Sequence, residues 1–245
     1  MKRFLWLLPI FSVIGCSAAT YHYSLVQTDA SDSFVIILHG LRGKSTSFLM
    51  MEKALVAKGY NVCRVDYPST QDTIERLADT AIRTAIERCS GAGGDTLHFV
   101  AHSMGGILVR YYLQKFDVPQ LGRVVLLCPP NRGIELIDTF AWCGAFRKYN
   151  GPAGMQLSAK KDGFVRSLLP SQSDVGVIMS TKSVNPVASA FIPGPDDGRV
   201  AIASARINDL KDFVLVNSNH HVIMKKEETI RQVISFLKNG SFEKD

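Results

Sequence analysis

The 245-residue chain contains no Cys-x-x-Cys and no His-Glu-x-x-His. Without closely spaced thiols or two imidazoles on one helical face, a zinc site has no evident donor set. Neither a metal nor a cofactor is expected. Long basic runs are also missing. Past the N-terminus, Lys and Arg stand singly or as the pairs Lys160-Lys161 and Lys225-Lys226, the second followed by Glu227-Glu228. The formal net charge of +6 therefore reads as a solvated surface and not a nucleic-acid footprint. Gly91-Ala92-Gly93-Gly94 is glycine-rich, but it precedes a strand-like run. Loops that cradle nucleotide phosphates follow a strand and open a helix, so this one excludes itself. The chain has no internal repeat and no low-complexity segment.

What is present suits one α/β domain with a large core: 46% of residues are hydrophobic and 20% charged. Residues 1–20 read as an export segment. Lys2 and Arg3 lead an apolar core, residues 4–14, too short to span a bilayer comfortably. Val13-Ile14-Gly15-Cys16 then resembles a bacterial lipoprotein box, which implies lipidation of Cys16 and membrane attachment. Ser17 follows, and with no Asp there the resemblance implies an outer-membrane address. Cleavage after Ala19 to a soluble exported protein, or an uncleaved anchor, are the alternatives. Four cysteines would remain, namely Cys63, Cys89, Cys128 and Cys143. Export permits pairing among them, but their spacing does not say which.

From residue 21 onward, strand-like and helix-like segments alternate. Continuous apolar runs at 33–38, 61–66, 95–101, 123–127, 175–179 and 213–216 predict strands covered on both faces. Residues 21–27 offer an edge strand. Helical periodicity covers 45–58, 72–89, 105–115 and 227–237, with Gly59 as a stop signal after the first. This alternation predicts a mainly parallel sheet of about six to seven strands flanked by helices. The rhythm breaks between 129 and 174, an insertion expected to cover a site. Its Met155, Leu157, Phe164, Val165, Leu168 and Leu169 could line a lipid site, or could be core.

The sharpest local feature is Ala101-His102-Ser103-Met104-Gly105-Gly106, which lies between a strand-like and a helix-like run. This is the context of a nucleophile elbow, where a strained turn lifts a serine hydroxyl clear of the sheet. Small residues are needed two before and two after the serine, and Ala101 and Gly105 supply them. A serine hydroxyl needs a base, a group that orients the base, and donors for an oxyanion. The base is expected in the loop after the last strand, where His220-His221 stands. His220 lies nearer the strand end and is preferred, with His221 the alternative. The acid is expected in Pro193-Gly194-Pro195-Asp196-Asp197-Gly198. Asp197 precedes a glycine and a short apolar run that can hold it, and Asp196 competes. The oxyanion amides would be those of Met104 and of Leu41, in His39-Gly40-Leu41-Arg42-Gly43. His39 is expected to be structural, His98 packed within its strand, and His102 outside the chemistry.

Together these segments resemble small bacterial lipases and esterases of the α/β-hydrolase superfamily. The resemblance covers about residues 33–238 and includes Pro129-Pro130-Asn131-Arg132-Gly133 after a strand. It departs at Ala101, where the family pattern has Gly. It implies an α/β-hydrolase fold with Ser103 as nucleophile, His220 as base, Asp197 as its partner, Leu41 and Met104 as oxyanion donors, and an ester or lipid as substrate. Acyl transfer, thioester cleavage or phospholipid deacylation would use the same groups. A noncatalytic envelope binding protein could be built on the same scaffold.

Overall fold

The computed structural model describes residues 20–169 and 173–244. Cys16 and the residues ahead of Thr20, expected to be an export segment, lie outside the described residues.

Among the described residues seven strands form one sheet: β1 (His22–Val26), β2 (Ser33–Leu38), β3 (Asn61–Asp66), β4 (Thr96–His102), β5 (Leu121–Leu127), β6 (Val175–Ser180) and β7 (Asp212–Val216). Their order is β1-β3-β2-β4-β5-β6-β7. Only β1 pairs antiparallel, against β3, and every other neighbour is parallel. Among the described residues the helices are α1 (Leu49–Val56), α2 (Ile74–Gly91), α3 (Met104–Lys115), α4 (Glu135–Phe140), α5 (Gly144–Met155), α6 (Phe164–Ser167), α7 (Pro186–Ser189), α8 (Ile202–Ala205) and α9 (Glu227–Asn239).

The apolar runs become strands buried on both faces, as in β2, where Phe34 through Leu38 are all solvent-excluded. Both faces are covered because α2 packs with α3, and α1 with α9. Helix α2 buries the stripe Ile74, Leu77, Ala78, Ala81, Ile82 and Ala85, spaced at the helical period. Its Thr73 cap accepts a hydrogen bond from the Arg76 amide. The helical pattern over 45–58 resolves into a 3₁₀ turn, Ser45–Phe48, followed by the shorter α1. Asp66 accepts from both the amide and the hydroxyl of Ser45 at 2.7 Å, which tethers this first turn.

The insertion at 129–174 carries α4, α5 and α6, with α5 broken at Gly151 by a non-helical φ of 69°. A second irregular crossover, 181–211, holds α7 and α8 and was not read from the sequence as part of the cover. Its helices are four residues each, too short to leave a periodic signal. The parallel strands all deliver their C-terminal ends to one rim, where open α/β sheets place their ligands.

Candidate active site

Ser103 sits between β4 and α3 with φ 52° and ψ −123°, a backbone conformation that costs a non-glycine residue on the order of 1–3 kcal/mol. The close approach of β2 and α3 holds it there. A Cβ on Gly105 would lie 2.5 Å from the His39 carbonyl oxygen and 3.0 Å from that of Leu38. A side chain at 105 would therefore push strand and helix apart. Ala101, two residues before the serine, is fully buried and still fits in β4.

The loop after β7 places His220 over this turn. His220 Nε2 is 3.1 Å from Ser103 Oγ, and its Nδ1 is 2.7 Å from Asp197 Oδ2. All three side chains are buried. Of the doubled residues, the structure brings together Asp197 and His220. Asp196 instead accepts from Ser189 Oγ at 2.7 Å and the Gly198 amide at 2.6 Å. His221 is exposed, its ring edge-on to that of His220.

Asp197 is held by more than the imidazole. Oδ1 accepts from the amides of Val200 (2.9 Å) and Arg199 (3.1 Å), and Oδ2 also accepts from Ser180 Oγ (3.1 Å). Burial opposes its ionisation, but the His220 charge and hydrogen bonds from His220, the Val200 amide and Cys128 outweigh it. The carboxyl stays below the usual carboxylate range. Ser180 was not anticipated. It is the last residue of β6, a small polar side chain with no exposure, and that polarity in an apolar strand was the available signal. Cys128 also approaches, its Sγ 3.1 Å from Ser180 Oγ. Burial, followed by the Asp197 charge, pushes its thiol well above the ordinary range. The ligand atoms of Cys128, Asp197 and His220 lie within 4.8 Å of one another. However, His220 Nδ1 and Asp197 Oδ2 already satisfy each other and the thiol keeps its proton, so the cluster works as a hydrogen-bond network.

Two further histidines shape the site without touching Ser103 Oγ. His102 Nε2 donates to the His220 carbonyl at 2.9 Å, fixing the loop that carries the imidazole. Burial, followed by the His220 charge, holds His102 far below the usual imidazole range, so it stays neutral. His39 stacks on Tyr67 with ring centroids 4.2 Å apart. Its Nδ1 donates to the Gly40 carbonyl at 2.8 Å, and its Nε2 accepts from the Tyr67 amide at 3.3 Å. His39 is thus structural, pinning the segment that carries Leu41. His98 is buried in β4, its Nδ1 accepting from the Arg123 amide. Among the described residues, the amides of Leu41 and Met104 have no hydrogen-bond partner. The Met104 amide opens α3, where the helix dipole favours negative charge.

Two chambers meet at Ser103 and share Leu41, Tyr149, Arg199 and His221. One, about 130 Å³, is walled by Ile134, Ile137, Phe146, Leu157 and Ala188. The other, about 290 Å³, is polar and lined by Gly40, Arg42, Lys44, Ser47 and Met224. Of the six insertion residues considered for a lipid site, only Leu157 lines a chamber. Val165 and Leu168 face a separate groove with Arg110 and Asn131, Leu169 lines another beside α3, and Met155 and Phe164 pack on the core. The chain turns away from the rim at α6, and α7 supplies the wall instead.

A sequence profile described as the alpha/beta hydrolase fold matches residues 34–178. Among solved structures, the chain is similar to the mature form of the lipase BlEst2 from Bacillus licheniformis. The TM-score is 0.70 at 18% identity, over 88% of this chain and 98% of that one. It is also similar to a monoacylglycerol lipase from Paleococcus ferrophilus (TM-score 0.60, 16% identity, 91% and 100% covered). A third similar structure is the phospholipase PlaB from Legionella pneumophila (TM-score 0.58, 17% identity, 71% and 45% covered). At these identities the likeness establishes the fold. No curated protein sequence matches the chain.

Proposed function

Since the chain belongs to the alpha/beta hydrolase fold family, we propose that it is a serine hydrolase cleaving carboxylic esters of short acyl chain through an acyl-enzyme. The observation that carries this reading is the hydrogen-bonded series Ser103 Oγ, His220 Nε2, His220 Nδ1, Asp197 Oδ2, with links of 3.1 and 2.7 Å. The lipases among similar structures support it.

Ser103 Oγ attacks the ester carbonyl carbon while its proton passes to His220 Nε2. The carbonyl oxygen gains the negative charge, and the free amides of Leu41 and Met104 stabilise it. Collapse breaks the bond to the alcohol oxygen, which leaves with the proton from Nε2. Water then repeats the sequence: it gives a proton to Nε2 and attacks the acyl carbon, and collapse breaks the bond to Ser103 Oγ, which takes the proton from Nε2 as the carboxylic acid leaves. Asp197 stays ionised throughout, holding Nδ1–H and stabilising the imidazolium.

The apolar chamber takes the acyl chain. Its volume of about 130 Å³ is close to that of a dry cavity of about 150 Å³ that holds benzene, which is room for about six carbon atoms. Initial rates on a p-nitrophenyl ester series from acetyl to decanoyl test this, with Ser103→Ala as control. Activity peaking at butyryl to hexanoyl and lost in Ser103→Ala is expected. Full activity in the folded variant overturns the reading.

The export segment extends this proposal to the cell envelope, with Cys16 as the lipidated first residue. The mass of the mature N-terminus tests it, since an unmodified N-terminus upstream of Cys16 contradicts both cleavage and lipidation.

A further inference from the structure

The two chambers at Ser103 differ in charge. Among the described residues no carboxylate lines either one; Arg42 and Lys44 line the polar side alone, and Arg199 stands where the two meet. The apolar chamber accounts for the acyl group, so the polar one receives the alcohol part of the ester. We propose that Arg42 and Arg199 bind a phosphate carried by that alcohol part, so that the preferred substrates are acyl esters of phosphorylated alcohols. This inference rests on the ester-hydrolase reading above and names its substrate class.

Arg199 is half-buried, and among the described residues its guanidinium has no ion pair. Burial works against its ionised form, Tyr149 and Asp197 favour it, and the charge of Arg42 opposes it. Among the described residues the carboxylate that acts on it is Asp197, which is committed to His220. Arg42 is placed deliberately. It holds a left-handed φ of 58°, where a non-glycine residue is uncommon. Its guanidinium lies 4.0 Å over the Tyr149 ring and donates to the Tyr149 carbonyl at 3.3 Å. Tyr149, which lines both chambers, thus fixes this guanidinium in the polar one, where its charge acts against that of Arg199. An anion seated between them relieves that repulsion and accepts several charge-assisted hydrogen bonds. The chamber's volume of about 290 Å³ equals roughly ten waters, enough for a glycerophosphate head beside Ser103.

The test compares kcat/KM for 1-butyryl-glycerol 3-phosphate and for 1-butyryl-glycerol, using the full chain and the variants Arg42→Gln and Arg199→Gln. The wild-type ratio is expected to favour the phosphorylated ester by about tenfold or more, and each variant to lower it about tenfold. The preference should shrink between about 20 and 300 mM salt, as screening shortens the reach of these charges. A variant that merely displaces Asp197 lowers both rates together and leaves the ratio alone, which would count against the proposal. A wild-type ratio near one, with the neutral ester turned over, overturns the anion site but leaves the hydrolase standing. Turnover of neither ester, together with no labelling of Ser103 by a fluorophosphonate, overturns the hydrolase reading itself. Palmitoyl-glycerol 3-phosphate in mixed micelles separates a lipid source of the phosphate from a soluble one. Faster turnover of the butyryl ester than of the palmitoyl ester is expected, and supports a soluble phosphorylated ester.

Discussion

Replacing Asp197 by Asn removes a charge and also reverses the direction of one proton. The carboxylate accepts four hydrogen bonds, from His220 Nδ1 and Ser180 Oγ on Oδ2 and from the amides of Arg199 and Val200 on Oδ1. An amide of the same shape offers one oxygen and one NH2. The two backbone N–H groups cannot turn away, so the amide oxygen takes the Oδ1 position and the NH2 faces His220. His220 Nδ1 must then accept, which moves the imidazole proton to Nε2, the atom that takes the Ser103 proton in the proposed mechanism. A misplaced tautomer of this kind lowers turnover about ten-thousandfold, or about 5.5 kcal/mol of barrier. The fold survives, because three of the four donors keep or can find an acceptor, at a cost of about 1–3 kcal/mol. Initial rates on p-nitrophenyl butyrate, paired with thermal melts, measure both effects. Asp196→Asn is the companion variant, because Asp196 bonds Ser189 and Gly198 and does not touch His220. It should keep turnover within about an order of magnitude of wild type. Near-wild-type turnover in folded Asp197→Asn, or an equal loss in Asp196→Asn, would refute the reasoning.

Gly105→Ala forces a Cβ to 2.5 Å from the His39 carbonyl oxygen. It should cost about 1–3 kcal/mol and lower kcat, and an unchanged urea midpoint would contradict the close-approach argument. His102→Phe removes the donor to the His220 carbonyl without touching Ser103. It should lower kcat more than it changes KM, with partial recovery in His102→Gln, and stopped assays at saturating ester separate the two. His98 gives a pH dependence. Burial, with the Arg123 charge, holds its pKa at about 4 against an ordinary 6.5, so between those values the unfolded chain binds the extra proton. Stability therefore falls as pH drops from about 6.5 to about 4, by about 3 kcal/mol in full. Urea unfolding at pH 7 and at about pH 4.5 should show a shallower loss in His98→Gln than in wild type.

The sheet was legible because parallel strands buried on both faces leave uninterrupted apolar runs, as residues 33–38 and 123–127 do. The turn at Ser103 was legible because a glycine two residues on is a steric requirement that leaves a mark in the sequence. Assigning Asp197 and His220 over their neighbours rested on local reasoning about which residue could be held rigidly; these two hydrogen-bond each other, and His220 also reaches Ser103 Oγ. Other features left no such mark. Ser180 and His102 act through hydrogen bonds to groups 17 and 118 residues away, and no local pattern records a contact of that range. The left-handed turn at Cys128, φ 48°, has no glycine to announce it. The wall formed by Asn185 and Ala188 comes from a four-residue helix, shorter than the window in which periodicity shows. Of the other insertion residues, Phe164 packs on the Tyr111 ring and the core and Leu169 is exposed, so apolar character alone did not mark the site.

The claim that the buried hydroxyl at the β4–α3 turn is the activated nucleophile can be tested most directly by covalent capture. The protein is treated with a fluorophosphonate, digested, and mapped by mass spectrometry. A single adduct on Ser103, absent in Ser103→Ala and strongly slowed in Asp197→Asn, is the expected result. A folded wild-type protein that takes no label, or takes it at another residue, would contradict the account.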